Sequence, residues 1–411
     1  MSTVRSVLRN RALLALMVGH FVNDMFASVL PILYPIVKTK WDISNADVGF
    51  LTLAYTTTGS LLQPVFGHLT DRWQNRWLAP LFLTWSAVWV SSYGLANSYW
   101  MLFIFAAMAG LGSGAYHPLG ATAASRVSDP RARNTALSLY TVGGTSGYAL
   151  GPIIAVAVFS WYGARGTLLF LIPGVIGVTL LASQMGQVMR SSAQKRAGQR
   201  LEATAPIPYR SLAKVIGVVM LRSWSFLALV QFIPIWYDDL GFGRALYGPL
   251  MTVMILAGVS GTLMGGALAD RVGGRRVIIV SQLICAPALL VFVHFPGAVI
   301  AFTFGALFGA LSDSSLSVTL SAAQRLLPGR TGIASGVILG LGFITGGIGV
   351  PITGAIADRA GVETALMSLS LLCLGAALLA WTTDGRLYRT EAPLDDTGSG
   401  LGPELAGRGA S

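Results

Sequence analysis

The stretch GALADRVGGRR at residues 266–276 repeats an earlier one, GHLTDRWQNRW at 67–77, at an offset of 199 residues. Holding that offset aligns Pro35 with Pro234, Gly59 with Gly258, Arg126 with Arg325 and Arg131 with Arg330. It also aligns Gly143 with Gly342, Gly147 with Gly346 and Pro152 with Pro351. A register kept without a gap over most of a half means that the chain contains two related units of one architecture.

Composition says what each unit is made of. Of 411 residues, 54% are hydrophobic and 11% charged, against about 25% charged in ordinary soluble domains. That balance excludes a soluble fold. The net charge of +11 does not point to nucleic acid, because the basic residues fall in short clusters between apolar runs and form no basic face. A bilayer core takes about 20 helical residues per crossing. That ruler predicts twelve spans, at 12–37, 47–70, 77–96, 99–125, 134–160, 166–188, 214–237, 246–269, 277–294, 297–324, 331–357 and 362–383. With the N-terminus inside, 22 of the 28 Lys and Arg residues fall in inner segments and five in outer loops; Arg222 lies within a span. By the positive-inside rule both termini are cytoplasmic, in the cell inner (plasma) membrane.

The expected fold class is therefore an all-α integral membrane protein with 12 transmembrane helices in two pseudo-symmetric six-helix bundles. The N-terminal bundle is 1–188, a cytoplasmic linker 189–213, the C-terminal bundle 214–385, and a disordered cytoplasmic tail 386–411. The start MSTVRSVLRNRALLALMVGHF has the basic-then-apolar order of a leader. Its apolar run continues through Asn23 and Asp24 with no small-residue cleavage site, so it reads as a retained first helix. Cys285 and Cys373 sit inside apolar runs and read as small buried hydrophobes.

Parallel repeats of this kind suit alternating access, with the substrate site between the halves near mid-membrane. Polar residues at that depth are then the functional candidates. MVGHFVNDMFASVLPILYPIV (17–37) carries His20, Asn23 and Asp24. His20 and Asp24 are four apart, on one helix face, and suit a group that binds and releases a proton in each cycle. Asp24 is the expected carrier, tuned by His20, with Asp313 as a further proton-coupling candidate. Asn23 aligns with Arg222 under the repeat, so an acid and a base are expected to reach one central chamber. Arg222, Asn23, Tyr116, His117, Gln231 and Trp224 are the expected substrate contacts. Pro118, after His117, frees a backbone carbonyl and can kink its helix.

These residues resemble the major facilitator superfamily over essentially all of 10–385. Its loop signature, G-x-x-x-D-[RK]-x-G-[RK]-[RK], is met by Gly67, Asp71, Arg72 and Arg76 in the first copy, with Gln74 and Asn75 departing from it. The second copy is fuller, with Gly266, Asp270, Arg271, Gly273, Arg275 and Arg276. The resemblance implies that Gly67, Asp71, Arg72, Arg76, Gly266, Asp270, Arg271 and Arg275 form a conformational gate. GGTSGYALGP resembles the antiporter motif of drug–proton exporters through Gly147, Gly151 and Pro152, small residues that also serve helix packing. GHFVNDM and GSGAYHPLG are similar to the fosmidomycin resistance branch, with its H-x-x-N-D and H-P pairs.

The resulting expectation is a proton-coupled antiporter exporting small organic compounds or drugs, such as phosphonates. The alternatives are a symporter importing an organic anion or nutrient, and a non-transporting membrane receptor. The expected partners are a small-molecule substrate, protons and the lipid bilayer; the chain is expected to act as a monomer. No nucleotide-binding G-x-x-x-x-G-K-[ST], H-E-x-x-H or nucleophile elbow occurs, so no enzyme, cofactor or metal is expected.

Overall fold

The structure, a computed structural model, describes residues 10–61, 63, 65, 66, 77–127, 133–194, 208–327 and 331–388. Gly67, Asp71, Arg72 and Arg76, most of the expected linker and nearly all of the expected tail lie outside them. Among the described residues there are helices and turns, and no strand. The helices are α1 (Arg11–Ala27), α2 (Val29–Trp41), α3 (Asn45–Leu61), α4 (Leu78–Ser91), α5 (Tyr99–Val127), α6 (Arg133–Tyr162) and α7 (Leu171–Gln194). There follow α8 (Tyr209–Asp239), α9 (Arg244–Val272), α10 (Gly274–His294), α11 (Ala298–Asp313), α12 (Leu316–Leu326), α13 (Thr331–Ala360) and α14 (Val362–Trp381). Among the described residues, ten segments are long and apolar enough to cross a membrane, one of which runs for 53 residues from α6 into α7.

Hydrogen bonds between distant turns sort the helix ends into two faces. Lys40 Nζ donates to the Ala96 carbonyl, Gly94 N–H to Thr167 Oγ1, and Tyr237 Oη to the Pro296 carbonyl; these turns share the far face. Asn10 Nδ2 donates to the Val127 carbonyl and Lys214 Nζ to the Thr382 carbonyl, placing both described chain ends on the opposite, near face. Asn10 also caps α1, its Oδ1 accepting from Ala12 and Leu13 N–H, which satisfies donors that a helix start leaves open.

Three expected spans are interrupted. The first breaks at Ser28, between α1 and α2, and runs on to Trp41 rather than ending at 37. The tenth breaks after Asp313, at Ser314 and Ser315. The sixth opens as a 3-10 helix, Gly163–Phe170, where Gly163 at φ +56° turns the chain. In two of the three, a serine hydroxyl re-satisfies the freed backbone: Ser28 Oγ donates to the Met25 carbonyl and Ser314 Oγ to the Leu311 carbonyl.

Within the first half, Gly143, Gly147 and Gly151 on α6 face Met17, Phe21 and Ser28, so closely that a Cβ would overlap those atoms. Without a hydrophobic drive inside lipid, such close backbone approach is what binds helices together. Between the halves, Gly49 on α3 packs on Pro351 of α13, and Gly248 on α9 packs on Val156 of α6. The 199-residue offset maps one interface onto the other. It does the same for two polar contacts at the far face. Asp358 Oδ1 and Oδ2 accept from Asn45 and Ala46 N–H at 2.8 and 3.0 Å, capping α3 from the other half. Arg244, the repeat partner of Asn45, donates to the carbonyl of Phe159, the repeat partner of Asp358, at 3.2 Å. With Lys38 Nζ 4.0 Å from Asp239 Oδ2, the two halves are joined at the far face.

Candidate functional site

The polar residues at mid-depth form two clusters, one in each half. In the first, Asp24 Oδ2 lies 3.2 Å from His20 Nε2 and Asp24 Oδ1 lies 3.5 Å from His117 Nε2. Asn23 Nδ2 donates to Asp24 Oδ1 at 3.0 Å and to Ser113 Oγ at 3.1 Å. His20 Nδ1 sits 2.8 Å from the Tyr140 carbonyl, and its ring stacks on Tyr140 at 4.1 Å between centroids. Three helices therefore hold the carboxylate: α1 supplies His20 and Asn23, α5 supplies Ser113 and His117, and α6 orients His20 through its backbone. The Asp24 side chain keeps 19% of its surface and that of His117 33%, so the cluster is partly open.

The chemistry of this cluster follows from counting hydrogens. The Tyr140 carbonyl can only accept, so His20 Nδ1 carries a hydrogen. A neutral ring would then aim the Nε2 lone pair at a carboxylate 3.2 Å away. That contact is a hydrogen bond only when a further proton sits on Nε2 or on Asp24. The His20–Asp24 pair is thus built to hold one exchangeable proton.

In the second cluster, Arg222 Nη1 donates to Asp313 Oδ1 at 2.5 Å and Nη2 to Ser223 Oγ at 3.2 Å. Arg222 is 6% exposed and its Nε has no partner among the described residues. A cavity of about 180 Å³ borders the pair, lined by Tyr148 of the first half and by Ser223, Phe226, Leu316 and Phe343 of the second. Under the repeat, Arg222 corresponds to Asn23 and Asp313 to Gly114, next to Ser113. The ion pair therefore occupies in the second half the place of the Asn23–Ser113 hydrogen bond in the first.

Asp24 and Arg222 make no direct contact: each has an ion-pair partner in its own half. Tyr116 is fully buried, its hydroxyl donating to the Leu16 carbonyl at 3.3 Å, while its neighbour His117 points into the cluster. Trp224 Nε1 donates to Thr353 Oγ1 at 3.0 Å, tying α8 to α13. Gln231 is buried, with Oε1 lacking a partner among the described residues. At the near face, Gly266 abuts Ser317, Arg271 is exposed and Arg275 Nη1 donates to the Thr383 carbonyl at 2.9 Å; Asp270 lies in the last turn of α9.

Sequence reasoning passed over Gly144. A Cβ there would fall on Asp24 Oδ2 and His20 Nε2, so only glycine lets α6 lie against the pair. The signal was the doubled glycine in GGTSGYALGP, a stretch whose motif reading rested on Gly147, Gly151 and Pro152. Gly144→Ala is expected to displace the pair and slow any transport that depends on it by roughly tenfold or more, the factor that about 1.4 kcal/mol carries. Gly186→Ala, which meets open space, is the matched control. Equal transport by both variants in proteoliposomes would show that the spacing of the pair is unimportant.

Comparison with known proteins bears on the family and the fold. The model of the Major Facilitator Superfamily matches residues 16–349. The fosmidomycin resistance protein of Escherichia coli (strain K12) is 29% identical over 385 residues, covering 90% of this chain and 92% of its own. An uncharacterized MFS-type transporter of Bacillus subtilis (strain 168) is 30% identical over 378 residues, with the same coverage of each chain. Among solved structures, a bacterial homolog of the human lysosomal transporter Spinster, in an inward-facing and occupied conformation, superposes with a TM-score of 0.78. It shares 16% identity over 92% of this chain and 98% of its own. A D-xylose–proton symporter superposes with a TM-score of 0.72 at 14% identity, over 92% and 99% of the two chains. With the motif residues, the repeat and the helical architecture in agreement, the chain belongs to the Major Facilitator Superfamily, a multi-pass membrane transporter rather than an enzyme.

Proposed function

We propose that this chain is a proton-coupled antiporter that exports small organic anions across the cell inner membrane by alternating access. The reading takes both termini as cytoplasmic and the two repeats, 1–188 and 214–385, as the rocking bodies. Its carrying observation is the His20–Asp24 pair, whose contact requires a proton while the cluster stays partly open. The far-face contacts through Asp358, Arg244 and Lys38 close the outer side. The cavity beside Arg222 lies between Tyr148 and α8, and this reading takes it as the part of the chamber open to the inner side.

The substrate class follows from the second cluster. A buried guanidinium holding a carboxylate beside an apolar-walled cavity is a site for a small anion with an apolar body. Asp313 is the resident partner of Arg222, and an anionic substrate takes its place. The likeness to the fosmidomycin resistance protein, 29% identical, supports phosphonates as the first compounds to try, and supports export over import.

The test is direct. Protein in proteoliposomes containing a pH-sensitive dye is given a panel of phosphonates and carboxylates, and substrate-dependent proton flux is recorded. Opposed proton and substrate movement is the expected result. Co-directional movement would identify the importing symporter, and absence of proton movement during substrate flux would end the proton-coupled reading.

A further inference from the structure

Arg271 and Arg276 stand together at the near-face junction of α9 and α10, both exposed and without an ion-pair or hydrogen-bond partner among the described residues. A groove opens on each side of them. One, of about 900 Å³, runs up α9 from Arg271 to Gly261, walled by Met264, Leu268, Val280, Leu307 and Leu311. Ten residues of helix give it a length of about 15 Å. Its two hydroxyls are already committed, Ser281 Oγ to the Ile278 carbonyl and Ser314 Oγ to the Leu311 carbonyl. The slot offers an occupant nothing but hydrocarbon contact. The other groove lies between α10 and α14, walled by Ile279, Leu283, Leu374, Leu378 and Trp381, with Asp270, Arg275 and Asp384 near its mouth. There Arg275 is held by the Thr383 carbonyl, and Trp381 is 65% exposed, as suits a ring at headgroup level.

We propose that this surface is a binding site for an anionic phospholipid, with its phosphate on Arg271 and Arg276 and one acyl chain in each groove. A water-soluble anion would match the guanidinium pair and leave the grooves empty. A zwitterionic lipid would fill the grooves, but Arg271, Arg275 and Arg276 outnumber Asp270 and Asp384 among the lining residues, leaving a positive charge that a neutral headgroup does not balance. Only a lipid carrying net negative charge satisfies head and tails together. The arginine pair lies at the near face, while the groove along α9 extends to Ser314, next to Asp313; the lipid proposal does not depend on the transport reading. Arg271 also belongs to the loop expected to act as a gate, so lipid at this site would bear on that loop.

The experiment is native mass spectrometry of the detergent-purified protein titrated with phosphatidylglycerol, phosphatidylcholine or glycerol phosphate. Phosphatidylglycerol is expected to bind and the other two to bind far more weakly. Losing both guanidinium contacts in R271Q/R276Q weakens phosphatidylglycerol roughly 30-fold. The lysine pair R271K/R276K retains most of the binding, and Arg359→Gln at the far face changes nothing. Should the double variant fail to fold, a second measurement on folded protein decides. Brominated phosphatidylglycerol should quench a fluorescence component that Trp381→Phe removes, and brominated phosphatidylcholine should quench it much less. Equal binding of the two lipids, equal quenching by them, or glycerol phosphate binding as well as phosphatidylglycerol would each overturn the proposal.

Discussion

Asp24→Asn is expected to give a folded protein that moves no substrate in response to a pH gradient. The amide has the shape of the carboxylate and still accepts from Asn23 Nδ2, so the hydrogen bond at 3.0 Å survives. What disappears is the second site for the proton that His20 and Asp24 share. His20 Nδ1 stays fixed on the Tyr140 carbonyl, and Nε2 is left with an amide that gains or loses no charge during the cycle. Proton-driven flux in proteoliposomes should drop to that of protein-free vesicles. Substrate exchange with no pH gradient should persist, because it needs only the rocking of the halves. The thermal midpoint should move little, since one charge-assisted contact is exchanged for a neutral one, a difference of about 1–3 kcal/mol. Undiminished gradient-driven transport in this variant would remove Asp24 from the coupling machinery. His20→Gln is the companion measurement, and should reduce the coupled flux while leaving Asp24 able to carry a proton alone.

The architecture and the His20–Asp24 pair were legible in the sequence, whereas for Asp313 the sequence left two readings open, solvation by its serine neighbours or a pair with Arg222. The repeat shows because glycine, proline and arginine have few substitutes where helices touch or end, and they recur 199 residues apart. The spans show because lipid demands long apolar runs. The partner of Arg222, in contrast, depends on how α8 and α11 are rotated, and successive helical positions point about 100° apart. Asn23 and Asp24 are neighbours in sequence, yet one reaches Ser113 and the other His20. Tyr116 and His117 divide in the same way, into a packing contact and a cluster contact. The interruptions at Ser28 and after Asp313 were hidden because serine is tolerated in a membrane helix whether or not the helix continues. Gly144 carried no distinct signal: a glycine that clears space for a polar side-chain pair looks like a glycine that packs two backbones.

The Arg222–Asp313 pair predicts opposite outcomes for its two halves. Arg222→Gln leaves Asp313, a carboxylate whose side chain is 19% exposed, without its cation, and breaking such a partly buried pair from one side costs less than the ~3–5 kcal/mol of a fully buried one. This variant should lose thermal stability, and anion binding should weaken by about 10–100-fold with the charged hydrogen bonds that Nη1 and Nη2 supply. Asp313→Asn removes the internal competitor instead. The guanidinium then faces the 180 Å³ cavity without a resident carboxylate, so a small anion should bind more tightly, by about tenfold. Turnover should fall in the same variant, because a substrate that nothing displaces leaves slowly. The double variant R222Q/D313N separates packing from recognition. Having no uncompensated charge, it should recover much of the stability lost in Arg222→Gln without recovering anion binding. Isothermal titration of the purified protein, read beside its melting curve, distinguishes these results. If Asp313→Asn bound anions no better than the unaltered protein, Asp313 would be a structural counter-ion alone, and the substrate would have to meet Arg222 without displacing it.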